Sequence, residues 1–405
     1  MKAGSTRGGR RPGQTGAVSM IGRNGSWFAG RLPDPARLSF RSPRFESLDA
    51  WRAEAIAKVE ELLAAPATRL VGKPSVDASY KLDGLEIEEL SWRLPYGGET
   101  AAFFIKPAGQ VGKLPGVLAL HDHGANKLFG KEKIVLGREP PHPLMVEYQG
   151  LYYGGRPWAN ELARRGYAVL VHDVFPFGSR RISRGEVPVE IRDLGTGLIV
   201  GGPESRDTEP ATFEEAITYN RWAAEHEAIV AKSLFSAGTT WPGLVLAEDR
   251  VALDYLVSRP EVDPDRIGAG GLSGGGLRTV YLAGTDPRIK AAFCSGFMTT
   301  WRDLLLHKSF THTWMAYTPL LPGYLDFPEL LALRVPLPTL VQNCTEDSLF
   351  TLAEVRRAFK LITEVYRKAK ATERCRCALH PGGHQFSLPM QEEAFAFLDT
   401  WLKAR

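Results

Sequence analysis

From Leu114 onward this chain alternates short apolar runs with longer amphipathic ones, and that rhythm leaves few folds open. Strand-like runs at 115–121, 167–172, 265–272, 289–295, 338–343 and 375–379 are interleaved with helix-like runs at 157–165, 243–258, 275–285, 351–369 and 389–403. Strands that are apolar without alternation are buried on both faces, and the connections are long enough to carry crossover helices. The expected class is therefore α/β, a mostly parallel sheet flanked by helices, with ligand chemistry at the carboxyl ends of its strands. The run after Phe350 checks this. Leu352, Val355, Phe359, Ile362 and Tyr366 recur at spacings of three and four, which lays one apolar face on the sheet.

The rest of the chain is organised around that alternation. Residues 1–35 are rich in Gly, Arg and Pro and read as a flexible extension, with Met20 a second candidate start. Residues 36–80 form an N-terminal helical segment, in which 48–65 is a helix ended by Pro66 with Trp51, Ile56, Val59, Leu62 and Leu63 as its stripe. The α/β domain is expected over 81–405. It opens with an alternating edge strand at 85–92 and a returning strand at 101–105. Three insertions break the pattern, at 126–156, 174–240 (with a helical piece at 213–231) and 297–334. The last carries Phe297, Trp301, Phe310, Trp314, Tyr317, Tyr324 and Phe327, which read first as packing of the insertion itself.

Between the strand-like run 265–272 and the helix-like run 275–285 lies the turn of Gly271-Leu272-Ser273-Gly274-Gly275. A strand that turns this sharply into a helix leaves no room for Cβ atoms two residues either side of the serine. The serine itself is forced into a strained conformation that lifts Oγ clear. A hydroxyl is a poor nucleophile until a base takes its proton and a third group orients that base. Downstream, His384 sits in a glycine-bearing loop between an apolar strand and the last helix, where a mobile base belongs; His380 ends the strand and is the other candidate. His307 and His312 fall in the aromatic insertion and read as lining of a pocket or cap. The acid should follow the strand 337–343, which offers Asp347 or Glu346. Asp347 is preferred, because Leu349 and Phe350 beside it anchor the next helix. For a developing oxyanion the backbone amide of Gly274 is one donor; the other is the amide of His123 or Gly124, in the loop after the strand 115–121. His121 is a candidate for the pocket, as is Trp314. His121 and His123 also make an H-x-H pair, but no further ligands stand at metal-binding spacing, so no metal is expected.

Several stretches together resemble one branch of a known superfamily. They are Leu120-His121-Asp122-His123-Gly124, the segment 158–173, Val262-Asp263-Pro264-Asp265-Arg266-Ile267-Gly268, the serine turn, and Asp286-Pro287-Arg288-Ile289-Lys290-Ala291-Ala292. They are similar to the dienelactone hydrolase-like and acetyl xylan esterase-like α/β-hydrolases, over roughly residues 80–405. The resemblance implies an α/β-hydrolase fold with cap-like insertions, a carboxylic ester hydrolase without cofactor, and a serine, aspartate and histidine at Ser273, Asp347 and His384. One departure stands out. Relatives usually carry His-Gly-His-Gly where this chain has Asp122 in second place. A carboxylate there either opposes the oxyanion or is turned away into a hydrogen-bonded bridge.

Composition narrows the alternatives. With 44% hydrophobic residues the chain can bury a large core, and its net charge of +4 comes with no basic stripe interleaved with aromatics, so no nucleic-acid partner is expected. No apolar run reaches 18 residues and no secretory leader is recognisable, so neither a membrane partner nor export is expected, and the cytoplasm is the default location. Cys294, Cys344, Cys375 and Cys377 lack C-x-x-C spacing and read as free thiols. A small-molecule ester is the expected partner. A serine peptidase or amidase of prolyl-oligopeptidase type shares the serine turn and the order of residues, and a non-catalytic binding module on the same fold is the reading from another class.

Overall fold

The alternation becomes one nine-stranded sheet. In the computed structural model, which describes residues 19–192 and 212–403, the strands are β1 (Val71–Leu82), β2 (Leu85–Arg93), β3 (Thr100–Pro107), β4 (Leu114–Ala119), β5 (Ala168–His172), β6 (Val262–Leu272), β7 (Ile289–Ser295), β8 (Thr339–Cys344) and β9 (Cys375–His380). Their order is β1-β2-β3-β5-β4-β6-β7-β8-β9. The first four in that order pair antiparallel, and every pair from β5 to β9 is parallel. β4, β5 and the inner end of β6 are buried on both faces, as apolar runs without alternation require.

Helices cover both faces. They are α1 (Leu48–Leu63), α2 (Pro143–Tyr153), α3 (Trp158–Arg164), α4 (Phe213–Glu225), α5 (Glu227–Ser236), α6 (Trp241–Ser258), α7 (Gly274–Thr285), α8 (Phe327–Ala332), α9 (Leu352–Lys368) and α10 (Leu388–Leu402). Two large apolar clusters result. One gathers α6, α7, α8 and α9 with the N-terminal segment around Trp51 and Phe327; the other gathers α2, α3 and α10 around Trp158 and Phe386. At about 25 cal/mol per Å² of apolar surface removed from water, such clusters supply the main term opposing chain entropy. No helix among the described residues is long and apolar enough to cross a membrane. All four cysteines are free.

The structure corrects the sequence reading in four places. The segment 71–82 is not part of a helical region: it is β1, paired antiparallel with β2. The strand at 85–92 is therefore interior rather than an edge, and the boundary at residue 81 cuts through the sheet. Of the extension at 1–35, residues 1–18 lie outside the described residues; the rest is ordered, with a short helix Gly25–Ala29 packed near Leu306 and the Met20 amide bonded to the Leu306 carbonyl (3.0 Å). The helical piece at 213–231 is two helices meeting at His226, whose ring stacks on Trp222 with centroids 4.9 Å apart. Residues 193–211 of that insertion lie outside the described residues.

Candidate active site

Ser273 sits between β6 and α7 with φ 54° and ψ −117°, a region an L-residue enters only under constraint. The constraint can be named. A Cβ on Gly271 or on Gly275 would come within 2.1 Å of the Leu120 carbonyl oxygen, a backbone atom that cannot move aside. The turn therefore presses against the end of β4, and only glycine on both sides allows it. The Ser273 N–H donates to the Ser295 carbonyl (2.8 Å) and its own carbonyl receives the Leu277 N–H (2.8 Å), which ties the apex to β7 and to the first turn of α7.

His384 and Asp347 arrive from the loops after β9 and β8. His384 Nδ1 donates to Asp347 Oδ2 at 2.6 Å, leaving Nε2 as the nitrogen that can accept a proton. Asp347 is buried, and its other oxygen accepts the Leu349 N–H (2.9 Å), so the carboxylate is fixed before it orients the imidazole. The competing candidates are engaged elsewhere. His380 pairs with Glu393 at 2.7 Å, and Glu346 points into solvent while its backbone N–H holds the Gly382 carbonyl. Ser273 and His384 share the wall of one cavity of about 220 Å³, with Tyr152, Phe297, His312 and Phe350 among the other lining residues.

Across the cavity stands the loop after β4. A Cβ on Gly274 would lie 2.5 Å from the His123 nitrogen, so the amides of Gly274 and His123 are side by side. Neither N–H has an acceptor among the described residues, as donors kept for a developing oxyanion must be. The strand read as 115–121 ends at Ala119 and is the fourth along the chain, which places His121 to Gly124 beyond it as an irregular loop.

The Asp122 carboxylate is turned into a bridge. It accepts the hydroxyls of Tyr148 and Tyr153 from α2 and lies 4.0 Å from the buried Lys133 ammonium. Burial first, and then the Asp122 charge, push both tyrosine hydroxyls well above their ordinary pKa, so they remain donors. The His123 ring is fixed as well. Its Nδ1 accepts the Ala125 N–H (3.0 Å), so the proton is on Nε2, which donates to Glu227 Oε1 at 2.6 Å. Burial alone would raise the Glu227 pKa, but His123 and Lys127 outweigh it and hold it below the ordinary value. The second Glu227 oxygen accepts the Thr313 hydroxyl (2.7 Å) and the Trp314 N–H (3.2 Å), joining two insertions at the cavity edge.

Two expected pocket residues are not in the pocket. His121 is 1% exposed, edge-on to Phe177, with Nδ1 on the Asp122 carbonyl (3.0 Å); it packs behind the loop. The Trp314 side chain is 43% exposed and lies off the cavity wall, because its backbone is drawn to Glu227. Most other aromatics of that insertion pack within it, as Trp301 does on Phe327, while Phe297 reaches the cavity. Glu227, Lys133, Tyr148 and Tyr153 were not found from the sequence. They meet the loop from other elements, and no local pattern marks them.

Comparison with known proteins agrees with this architecture. Residues 235–403 match the family model described as the prolyl oligopeptidase family. A candidate hydrolase of Bacillus subtilis (strain 168), YtaP, is 26% identical over 302 residues, covering 74% of this chain and 83% of that protein. Among solved structures, a candidate acetyl xylan esterase of Bacteroides fragilis superposes with a TM-score of 0.63 at 16% identity, over 90% of this chain and 84% of the other. A glucuronoyl esterase from Solibacter usitatus gives a TM-score of 0.54 at 15% identity, over 86% and 92%. Sheet order, serine turn and these likenesses converge on one conclusion: the chain has the α/β-hydrolase fold.

Proposed function

We propose that this chain is a serine esterase that cleaves carboxylic esters of small, uncharged molecules by two-step acyl transfer. The observation that carries the reading is a fixed Asp347–His384 pair on the same cavity as a serine lifted at φ 54° and two unengaged amides. In the first step Ser273 Oγ attacks the ester carbonyl while His384 Nε2 takes its proton, and the oxyanion is received by the Gly274 and His123 amides. His384 then returns the proton to the leaving alcohol, leaving an acyl-serine. Water, deprotonated by the same imidazole, releases the acid. Asp347 holds the tautomer and steadies the imidazolium.

The size and lining of the cavity support a small neutral substrate. About 220 Å³ is below the usual range for drug-sized ligands, and no Lys or Arg stands among the described lining residues to attract a substrate carboxylate. Amide cleavage is the second reading, favoured by the match of 235–403 to the prolyl oligopeptidase family. A panel of p-nitrophenyl esters of rising acyl length beside the matching p-nitroanilides separates the two. Turnover of short esters that disappears in Ser273→Ala supports the esterase. Faster turnover of the anilides overturns it in favour of the amidase, and slow labelling of Ser273 by an organophosphonate overturns both.

A further inference from the structure

Of the two donors of the proposed oxyanion site, Gly274 opens α7 but His123 belongs to a loop with no regular structure, so something other than a helix or strand ladder must aim it. Lys133, in the 3-10 turn Lys131–Lys133, is fully buried. Its ammonium donates to the carbonyls of Asp122 (2.7 Å) and His123 (2.9 Å) and sits over the faces of Phe177 (4.9 Å) and Tyr148 (5.6 Å). A trans peptide unit is planar, with its C=O and N–H pointing in opposite directions. Gripping the Asp122 carbonyl therefore fixes the direction of the His123 N–H, and gripping the His123 carbonyl fixes that of Gly124. A cation on the carbonyl end also draws electron density from the amide and strengthens it as a donor. Arg278 does the same one unit earlier, with Nη1 3.3 Å from the His121 carbonyl.

We infer that the Lys133 ammonium aims and polarises the His123 amide that receives the oxyanion beside that of Gly274, making Lys133 a positioning residue for ester hydrolysis. This rests on the esterase reading and goes beyond it, since Lys133 is separated from the substrate by the peptide units it holds. The groups facing the ammonium are Asp122, His121 and His123 from the loop after β4, Lys127 and Glu132 from its own segment, Asp173 from the loop after β5, and Tyr148 from α2. Burial outweighs the pull of Asp122 and brings the ammonium down to about 8. The charge is therefore present below that pH and lost above it, within reach of an assay.

The test compares Lys133→Met and Lys133→Arg with the wild type on p-nitrophenyl acetate, taking kcat and KM from about pH 6.5 to 10, with folding followed by circular dichroism. Losing one oxyanion donor costs about 10²–10³-fold, so loosening its aim in Lys133→Met is expected to lower kcat about 10- to 100-fold with KM within about threefold. Lys133→Arg should recover most of that loss, and the alkaline fall of the wild-type kcat near about pH 8 should be missing in Lys133→Met. Wild-type kcat in a folded Lys133→Met, or the same alkaline limb in both proteins, overturns the role. If Lys133→Met does not fold, the wild type decides: a kcat that stays level from about pH 7 to 10 overturns it, and a fall near about 8 that moves in Lys133→Arg supports it. Wild-type protein without Ser273-dependent turnover is the separate failure of the esterase reading.

Discussion

On one side of Ser273 the imidazole of His384 hangs from the loop after β9, 15% exposed, with its side-chain hydrogen bond going to Asp347. On the other, the loop 121–124 is gripped by buried ions and hydroxyls from several elements: Lys133, Glu227, Arg278, and the two tyrosines on Asp122. The proposed mechanism gives the two sides different tasks. A base that takes a proton from one oxygen and gives it to another must follow the reacting atoms, so a single oriented bond suffices. A group of amides that stabilises charge must be in place before the charge develops, because reorganising it during the reaction would cost what it supplies. In the proposed mechanism the lightly held arm moves protons and the clamped arm stays still.

The largest effects should come from the lightly held arm and its nucleophile. Ser273→Ala and His384→Ala should each lower kcat for a short ester by about 10⁴–10⁶-fold with folding intact, since members of such a set act as one unit. His380→Ala should stay within about threefold, because that ring is bound to Glu393 and not to the serine site. A loss at His380 equal to that at His384 would reassign the base and dissolve the comparison. One step smaller, Asp347→Asn should cost about 10³–10⁴-fold by allowing the wrong tautomer, while Glu346→Gln, exposed to solvent, should leave kcat within about twofold. Stopped and steady-state hydrolysis of p-nitrophenyl acetate reads all five.

What could be read in advance follows the range of the forces involved. The serine turn was legible because its demand is local: glycine on both sides answers to one carbonyl, that of Leu120. The parallel strands were legible because burial on both faces writes an unbroken apolar run. β1 was missed although Val76, Ala78, Tyr80 and Leu82 alternate with polar residues, because its first half, with Gly72, Lys73 and Pro74, carries no such period and the strand is largely exposed and held by backbone pairing to β2. Without it the edge of the sheet was misplaced by one strand. The clamp was equally hidden. Lys133 is one of 50 basic residues, and Glu227 stands 104 positions from His123; a buried ion pair between distant elements has no signature in either neighbourhood. Trp314 was misread for the opposite reason, since an aromatic in an insertion resembles a binding residue whether or not its backbone turns it outward.

The clamped side makes smaller but sharper predictions. Glu227→Gln leaves the Lys127 ammonium buried without its counter-charge, which should destabilise the fold by on the order of 3 kcal/mol and lower kcat about tenfold as the His123 ring loosens. The sign with pH is fixed. The folded protein holds the Glu227 pKa below 4.5, so this pair contributes fully above that value and is lost as pH falls further, towards the lower folded pKa. Urea unfolding followed from neutral pH to acid should therefore show the wild type losing stability below about pH 4.5 more steeply than Glu227→Gln; equal slopes would place the clamp's strength elsewhere. The smallest effect is expected at Trp314→Ala. The indole is 43% exposed, and the contact that matters, its backbone N–H to Glu227, survives the substitution. Stability should shift by about 0.5 kcal/mol or less and kcat/KM for short esters by less than about twofold. If instead kcat/KM fell tenfold for bulky or aromatic esters alone, the indole would stand on the path of the larger substrates, and the binding surface would extend past the cavity onto an insertion that the Glu227 clamp also holds.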